Sequence, residues 1–214
     1  MILSKKAIQE LIIEPEISSE KNYNARLQYP IWPGGSSGVT IGFGYDIGTQ
    51  YVRTVRADLT PILGVSATEK LTPACGVLGS SAKIYLTKSV KVSWEQAKEL
   101  FYNTSLKKAC KEALSIYNGL DKLHPYEQTA IVGLVYNRGT ALKDKPGRDR
   151  RKEMRMLIGA IQADNDTLMA SYIRQMKRLW NPSKMKGLID RREKEAQYIE
   201  MVDTPIPDDD KLII

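Results

Sequence analysis

Three carboxylates, Glu14, Glu16 and Glu20, precede a stretch that alternates strand formers with glycine, GVTIGFGYDIG at positions 38–48. Closely spaced carboxylates can perform acid–base chemistry. One can donate a proton to a leaving group, while another group stabilises the positive charge that develops or activates water. Glu16 follows the apolar run Leu11-Ile12-Ile13 and stands next to Pro15. The proline is expected to break the helix and point Glu16 into a cleft instead of along a solvated face. A carboxyl group among apolar neighbours keeps its proton more readily, as general-acid use requires.

The glycine-rich stretch supports two readings. Val39, Ile41, Phe43 and Tyr45 favour a strand, whereas Gly42, Gly44 and Gly48 weaken one and mark a turn, a bulge or a close backbone approach. In one reading this is a hairpin packed tightly on its neighbour. In the other it lines a cleft, where missing side chains let a substrate lie against the backbone. Thr40 and Asp46 would then be the polar groups on the cleft wall.

The elements that must position these groups are mostly helical. Ser4 is expected to cap an amphipathic stretch with Ala7, Ile8, Leu11 and Ile12 on one face. Positions 29–48 read as loop plus hairpin, and 57–88 as short helical segments separated by Pro61, Pro73, Gly76 and Gly79. Ser93 and Gln96 form a capping box that opens a helix reaching Leu114. Pro125 sits in the first turn of another helix, whose segment AIVGLVY (130–136) is apolar all round and so expected to be buried. Further helices are expected near 149–163, 166–179 and from Leu188, followed by an acidic, proline-containing tail (203–214) that is loosely held. The expected fold class is α+β and mostly helical, in a single domain over 1–214. A small β lobe at about 17–56 and a larger helical lobe at about 57–200 would enclose a cleft.

Composition narrows the chemistry. The 214 residues can fill one core, and no apolar run approaches the ~20 residues that span a bilayer, so no stable membrane insertion is expected. Cys75 and Cys110 are too few for a disulfide framework and match no metal spacing. Two buried thiols are the main expectation and a single disulfide the alternative. With His124 the only histidine, histidine-rich metal sites and the usual histidine triads are disfavoured, and no metal or cofactor is expected. The net charge of +7 suits an anionic partner. The N-terminal sequence does not read as a Sec signal, so the chain is expected to be made in the cytoplasm and to reach the periplasm or cell wall by release or another export route.

The order of motifs resembles the phage-type lysozymes. Leu11-Ile12, Glu16, Tyr23 and TIGFGYD (40–46) are similar to that family's glutamate, tyrosine and TIGYGH-like hairpin. LVYNRG (134–139) resembles its FVYNVG helix end. RLWNPSKMKGLIDRREKEAQYI (178–199) resembles its closing segment through Trp180, Gly187, Arg191, Arg192 and Glu195. WPGGSSGVTIGFGYD (32–46) is more similar to a branch found in phage lysis proteins and antibacterial secreted effectors, with pesticin-like toxins as more distant relatives.

The resemblance implies a lysozyme-like fold and cleavage of the β-1,4 bond between N-acetylmuramic acid and N-acetylglucosamine in peptidoglycan. It makes Glu16 the proton donor and Thr40 the residue that holds the attacking water. It departs at the second carboxylate: the position where the family usually has Asp is Ala25 here, beside Asn24. Asp46 is the first substitute and Glu20 the second. Tyr45 and Asn137 are candidate substrate contacts, with packing and helix capping as their alternatives. Arg191 and Arg192 are expected to hold the lobes together through ion pairs. The cluster RDRRKEMR (148–155) reads as a solvated helix face, or else as a patch for an anionic partner.

The implied partners are peptidoglycan and, for a secreted effector, a cognate immunity or inhibitor protein, with the chain itself a monomer. Two other classes are carried alongside: a wall-binding protein without activity, and a basic helical nucleic-acid binder. No nucleic-acid motif appears, and the positive charge is not interleaved with aromatics, so a nucleic-acid partner is not expected.

Overall fold

Ser4 begins the first helix as expected, its Oγ accepting the Ala7 N–H at 2.9 Å. In this computed structural model, which describes residues 1–17 and 19–214, a short strand β1 (Ile2–Ser4) leads into α1 (Lys5–Ile8). The helical run continues through a wide π turn at Gln9–Ile13 and ends as α2 (Glu14–Ile17). Pro15 therefore lies inside the run and does not end it, which corrects the expectation from sequence. The Glu14 N–H already reaches back to the Gln9 carbonyl. The wider turn gives the proline ring room against the preceding carbonyls, and the shifted ladder absorbs its missing N–H.

The chain divides into two compact units, one of Glu16–Leu106 and the other of Met1–Pro15 with Lys107–Ile214. The first carries α3 (Glu20–Arg26), capped by Ser19, and the hairpin strands β2 (Thr40–Ile41) and β3 (Tyr45–Asp46). The strands are antiparallel, with Thr40 opposite Asp46 and Ile41 opposite Tyr45, and Ile31 bridges to Thr40 on the outer side. Helices α4 (Val52–Leu63), α5 (Val65–Leu71) and α6 (Trp94–Leu100) follow, and Ser93 with Gln96 closes the expected capping box on α6.

An aromatic cluster fills this unit. Phe43, at the hairpin tip, lies 4.8 Å from Trp94 and 5.6 Å from Tyr23, ring centre to ring centre. α6 covers the hairpin in this way, within the compact unit Glu16–Leu106.

The other unit is built on α8 (Pro125–Arg138), buried from Tyr126 to Val135 as its uninterrupted apolar sequence requires. His124 and Pro125 open it at the expected place, and Gly139 ends it at φ +69° with its N–H on the Val135 carbonyl. The unit also contains α7 (Leu106–Ile116), α9 (Lys152–Gln162), α10 (Asp166–Gln175) and α11 (Lys186–Ile199); α11 packs on α8, and α10 packs on both α9 and α11.

The expected loose tail is instead tied down. β4 (Lys211–Ile213) pairs antiparallel with β1, placing Leu212 opposite Leu3. The Asp210 carboxylate accepts from both Ser4 Oγ, at 2.6 Å, and the Lys6 N–H, at 2.7 Å. β4 closes an edge that β1 would otherwise leave unpaired, and these backbone and carboxylate bonds hold the tail although the residues before it are acidic. Among the described residues, no helix is long and apolar enough to cross a membrane.

Candidate active site

Two glycines show why the hairpin is built as it is. A Cβ on Gly48 would stand 2.4 Å from the Val77 carbonyl oxygen and 2.6 Å from the Gly38 Cα, and one on Gly38 would stand 2.5 Å from the Gly48 Cα. At these two positions glycine lets backbone meet backbone, the tight-packing reading of the stretch. The turn between the strands passes through Gly42 and Gly44 at φ +58° and +96°, a region that L residues rarely adopt.

Asp46 fastens the base of this hairpin. Its carboxylate accepts the Gly48 N–H at 2.9 Å and the Gly38 N–H at 3.1 and 3.2 Å. Across the strand pair, the buried Thr40 donates its hydroxyl to the Gly38 carbonyl at 3.3 Å. Thr40 and Asp46, singled out separately in the sequence, thus grip the same peptide segment. Asp46 was expected as a catalytic carboxylate, yet its oxygens are engaged by backbone amides, the geometry of a turn-closing side chain.

Tyr45 was expected to contact substrate or to pack. It is 6 % exposed and donates its phenol to the Asp58 carboxylate at 2.7 Å, which fits packing. Burial and the Asp58 carboxylate push its pKa well above the usual tyrosine value. Asp58 could not be found from sequence, because only the fold brings α4 to the hairpin.

The exposed carboxylates of this unit's N-terminal end are Glu16, in the last turn of α2, and Glu20, in the first turn of α3. Tyr23, which the motif order ties to Glu16, is buried and donates to the Val92 carbonyl at 2.9 Å. It anchors α3 beside the ring of Trp94. Both cysteines are free, Cys110 buried and Cys75 half-buried, and burial pushes the Cys110 thiol up to about 11.

Asn137 belongs to the other unit. It lines a pocket of about 410 Å³ with Arg138, Lys145, Arg148, Arg150 and Trp180 among its walls. Arg191 and Arg192 also lie in this unit, with the buried Glu195 carboxylate 3.3 Å from Arg191 Nε and 2.6 Å from Arg192 Nη2. Arg191 also donates to the Gly133 carbonyl at 3.2 Å. The Arg191–Gly133 bond joins α11 to α8, and the two ion pairs with Glu195 lie within α11. Burial pushes Glu195 up and Arg192 down, against the attraction between them.

The described residues therefore define a mostly helical α+β protein with two small sheets, the hairpin and the β1–β4 pair. The chain belongs to the family described as Domain of unknown function (DUF8812), whose model matches residues 11–135. No curated protein matches the chain. The matched segment takes in the whole Glu16–Leu106 unit and ends inside α8.

Proposed function

We propose that this protein is a peptidoglycan hydrolase of the muramidase type with a lysozyme-like fold, cleaving the β-1,4 bond between N-acetylmuramic acid and N-acetylglucosamine. The observation that carries the reading is the sequence Glu16, Tyr23, Thr40–Asp46. An exposed carboxylate at a helix end is followed by a glycine-turned hairpin in which Thr40 is held directly opposite Asp46. Glu16 protonates the glycosidic oxygen. Thr40 keeps acceptor lone pairs on its hydroxyl with which to orient the attacking water. Glu20, the exposed carboxylate, supplies the second charge. Asp46 positions Thr40 by closing the hairpin base.

The basic chain suits an acidic wall polymer, and the substrate lies outside the cytoplasm. Expression with a Sec signal should therefore lyse Gram-negative cells, whereas cytoplasmic expression should be harmless. A cognate inhibitor protein fits this role, and the protein acts as a monomer. The direct test is loss of turbidity by chloroform-permeabilised Gram-negative cells at micromolar protein between pH 5 and 8. Clearing is expected. No clearing across that range overturns the enzymatic reading and leaves a wall-binding protein, and equal toxicity in both compartments points to a cytoplasmic target.

A further inference from the structure

The segment between α8 and α9 forms a basic pocket that the proposed chemistry does not use. Its walls carry Arg138, Lys143, Lys145, Arg148, Arg150 and Arg151 against a single acid, Asp144. That acid is already committed. Its Oδ1 accepts the Arg150 and Arg151 N–H groups at 2.6 and 2.9 Å, and its Oδ2 pairs with Arg155 at 2.8 Å. Among the described residues, no ion pair forms at Lys143, Lys145, Arg148 or Arg150.

The wall is a built one. Arg151 donates to the Arg138 carbonyl at 2.8 Å and Arg138 to the Arg150 carbonyl, while Arg155 donates to the Leu142 carbonyl at 2.7 Å. These bonds fix the loop before any ligand arrives, which lowers the ordering cost of binding. Arg138 lies 5.3 Å and Arg192 5.8 Å from the Trp180 ring centre, and Arg138 Nε is buried with no hydrogen-bond partner among the described residues. Burial, and then the cations Arg151, Arg192 and Arg150, push Arg138 down to about 10. Clustered like charges around an unmet donor are unfavourable until an anion fills the space.

We infer that this pocket is a binding site for a small phosphate or diphosphate compound, held by Lys145, Arg148 and Arg150 at the mouth and by Arg138 beside Trp180 within. A phosphate group brings nearly two negative charges and three acceptor oxygens, which suits several converging donors better than a single carboxylate does. A volume of about 410 Å³ leaves room for an organic group attached to the phosphate. The site lies outside the segment matched by the family model, and the inference does not depend on hydrolase activity.

The test is titration of the full chain with pyrophosphate at fixed ionic strength, read by calorimetry and by tryptophan fluorescence. Saturable one-to-one binding is expected, weakened at least tenfold by Lys145→Ala with Arg148→Ala and unchanged by Lys88→Ala with Lys91→Ala in the other unit. The fluorescence change should vanish in Trp180→Phe while calorimetric binding persists, which places the ligand beside that ring. Citrate should bind at least tenfold more weakly. Phosphatidylglycerol vesicles distinguish a lipid-borne phosphate from a free one, and stronger binding to vesicles than to pyrophosphate would contradict a small soluble ligand. The inference is overturned if pyrophosphate does not bind, if the Lys145/Arg148 variant binds it equally well, or if citrate binds as tightly. It is also overturned if only a single-stranded oligonucleotide binds, which would make the region a nucleic-acid surface.

Discussion

The two units treat polar groups in opposite ways. In Glu16–Leu106 the polar side chains around the hairpin bond to nearby backbone or to one another: Asp46 to Gly38 and Gly48, Thr40 to Gly38, Tyr45 to Asp58. In the unit with α7 to α11 charges are buried against charges. Arg191, Arg192 and Glu195 are 4 %, 0 % and 0 % exposed, and Glu153, 1 % exposed, pairs with Arg178 at 2.5 Å. A hairpin held by side-chain-to-backbone bonds keeps its shape through local contacts alone. A helical unit held by buried pairs depends on every partner being present.

The sharpest break of this comparison is Glu195→Ala. It removes the shared carboxylate from two buried guanidinium groups and should cost about 3–5 kcal/mol, seen as a large fall in the denaturation midpoint. A loss under about 1 kcal/mol would show that α11 does not rely on the pair. Next comes Glu127, whose pKa burial raises to about 7 although its carboxylate caps the His124 N–H. A carboxyl group raised from 4.5 in the unfolded chain stabilises the fold fully below about pH 4.5. That stability is lost as pH rises through about 7, and amounts to about 3 kcal/mol. Glu127→Gln should flatten the pH dependence of unfolding over that window, and an unchanged slope would contradict it.

In the hairpin unit the effects should be smaller. Gly48→Ala forces a Cβ onto the Val77 carbonyl and should cost about 1–3 kcal/mol. Tyr45→Phe removes one hydrogen bond to Asp58 and should cost about 1 kcal/mol with activity retained. Loss of lysis by a stable Tyr45→Phe protein would return Tyr45 to the list of substrate contacts.

Much of the fold was legible in the sequence. The segment 130–136 could only be a buried helix, because it has no polar face, and Ser4 and Ser93 announced their helix starts through capping chemistry. The hairpin was legible from Gly42 and Gly44, but the roles of its polar residues were not. Asp46 as charge stabiliser and Asp46 as turn closer look identical until the Gly38 and Gly48 amides are seen to meet it. The β1–β4 pairing was hidden because it joins the two ends of the chain, and no local pattern encodes a partner that far away. The survival of helix past Pro15 needed a π turn, which leaves no clear periodic signature. Of the basic pocket, 148–155 was visible only as a charge cluster. Trp180 and Arg138 reach it through tertiary packing alone.

The central claim is that Glu16 is the proton donor of a wall hydrolase. The most direct measurement is clearing of permeabilised Gram-negative cells by purified Glu16→Gln, alongside its melting temperature. The expected result is a protein that melts within a few degrees of wild type and clears cells at least 10²–10⁴-fold more slowly, the usual worth of an acid–base group. A folded Glu16→Gln protein that clears at near the wild-type rate would contradict the claim.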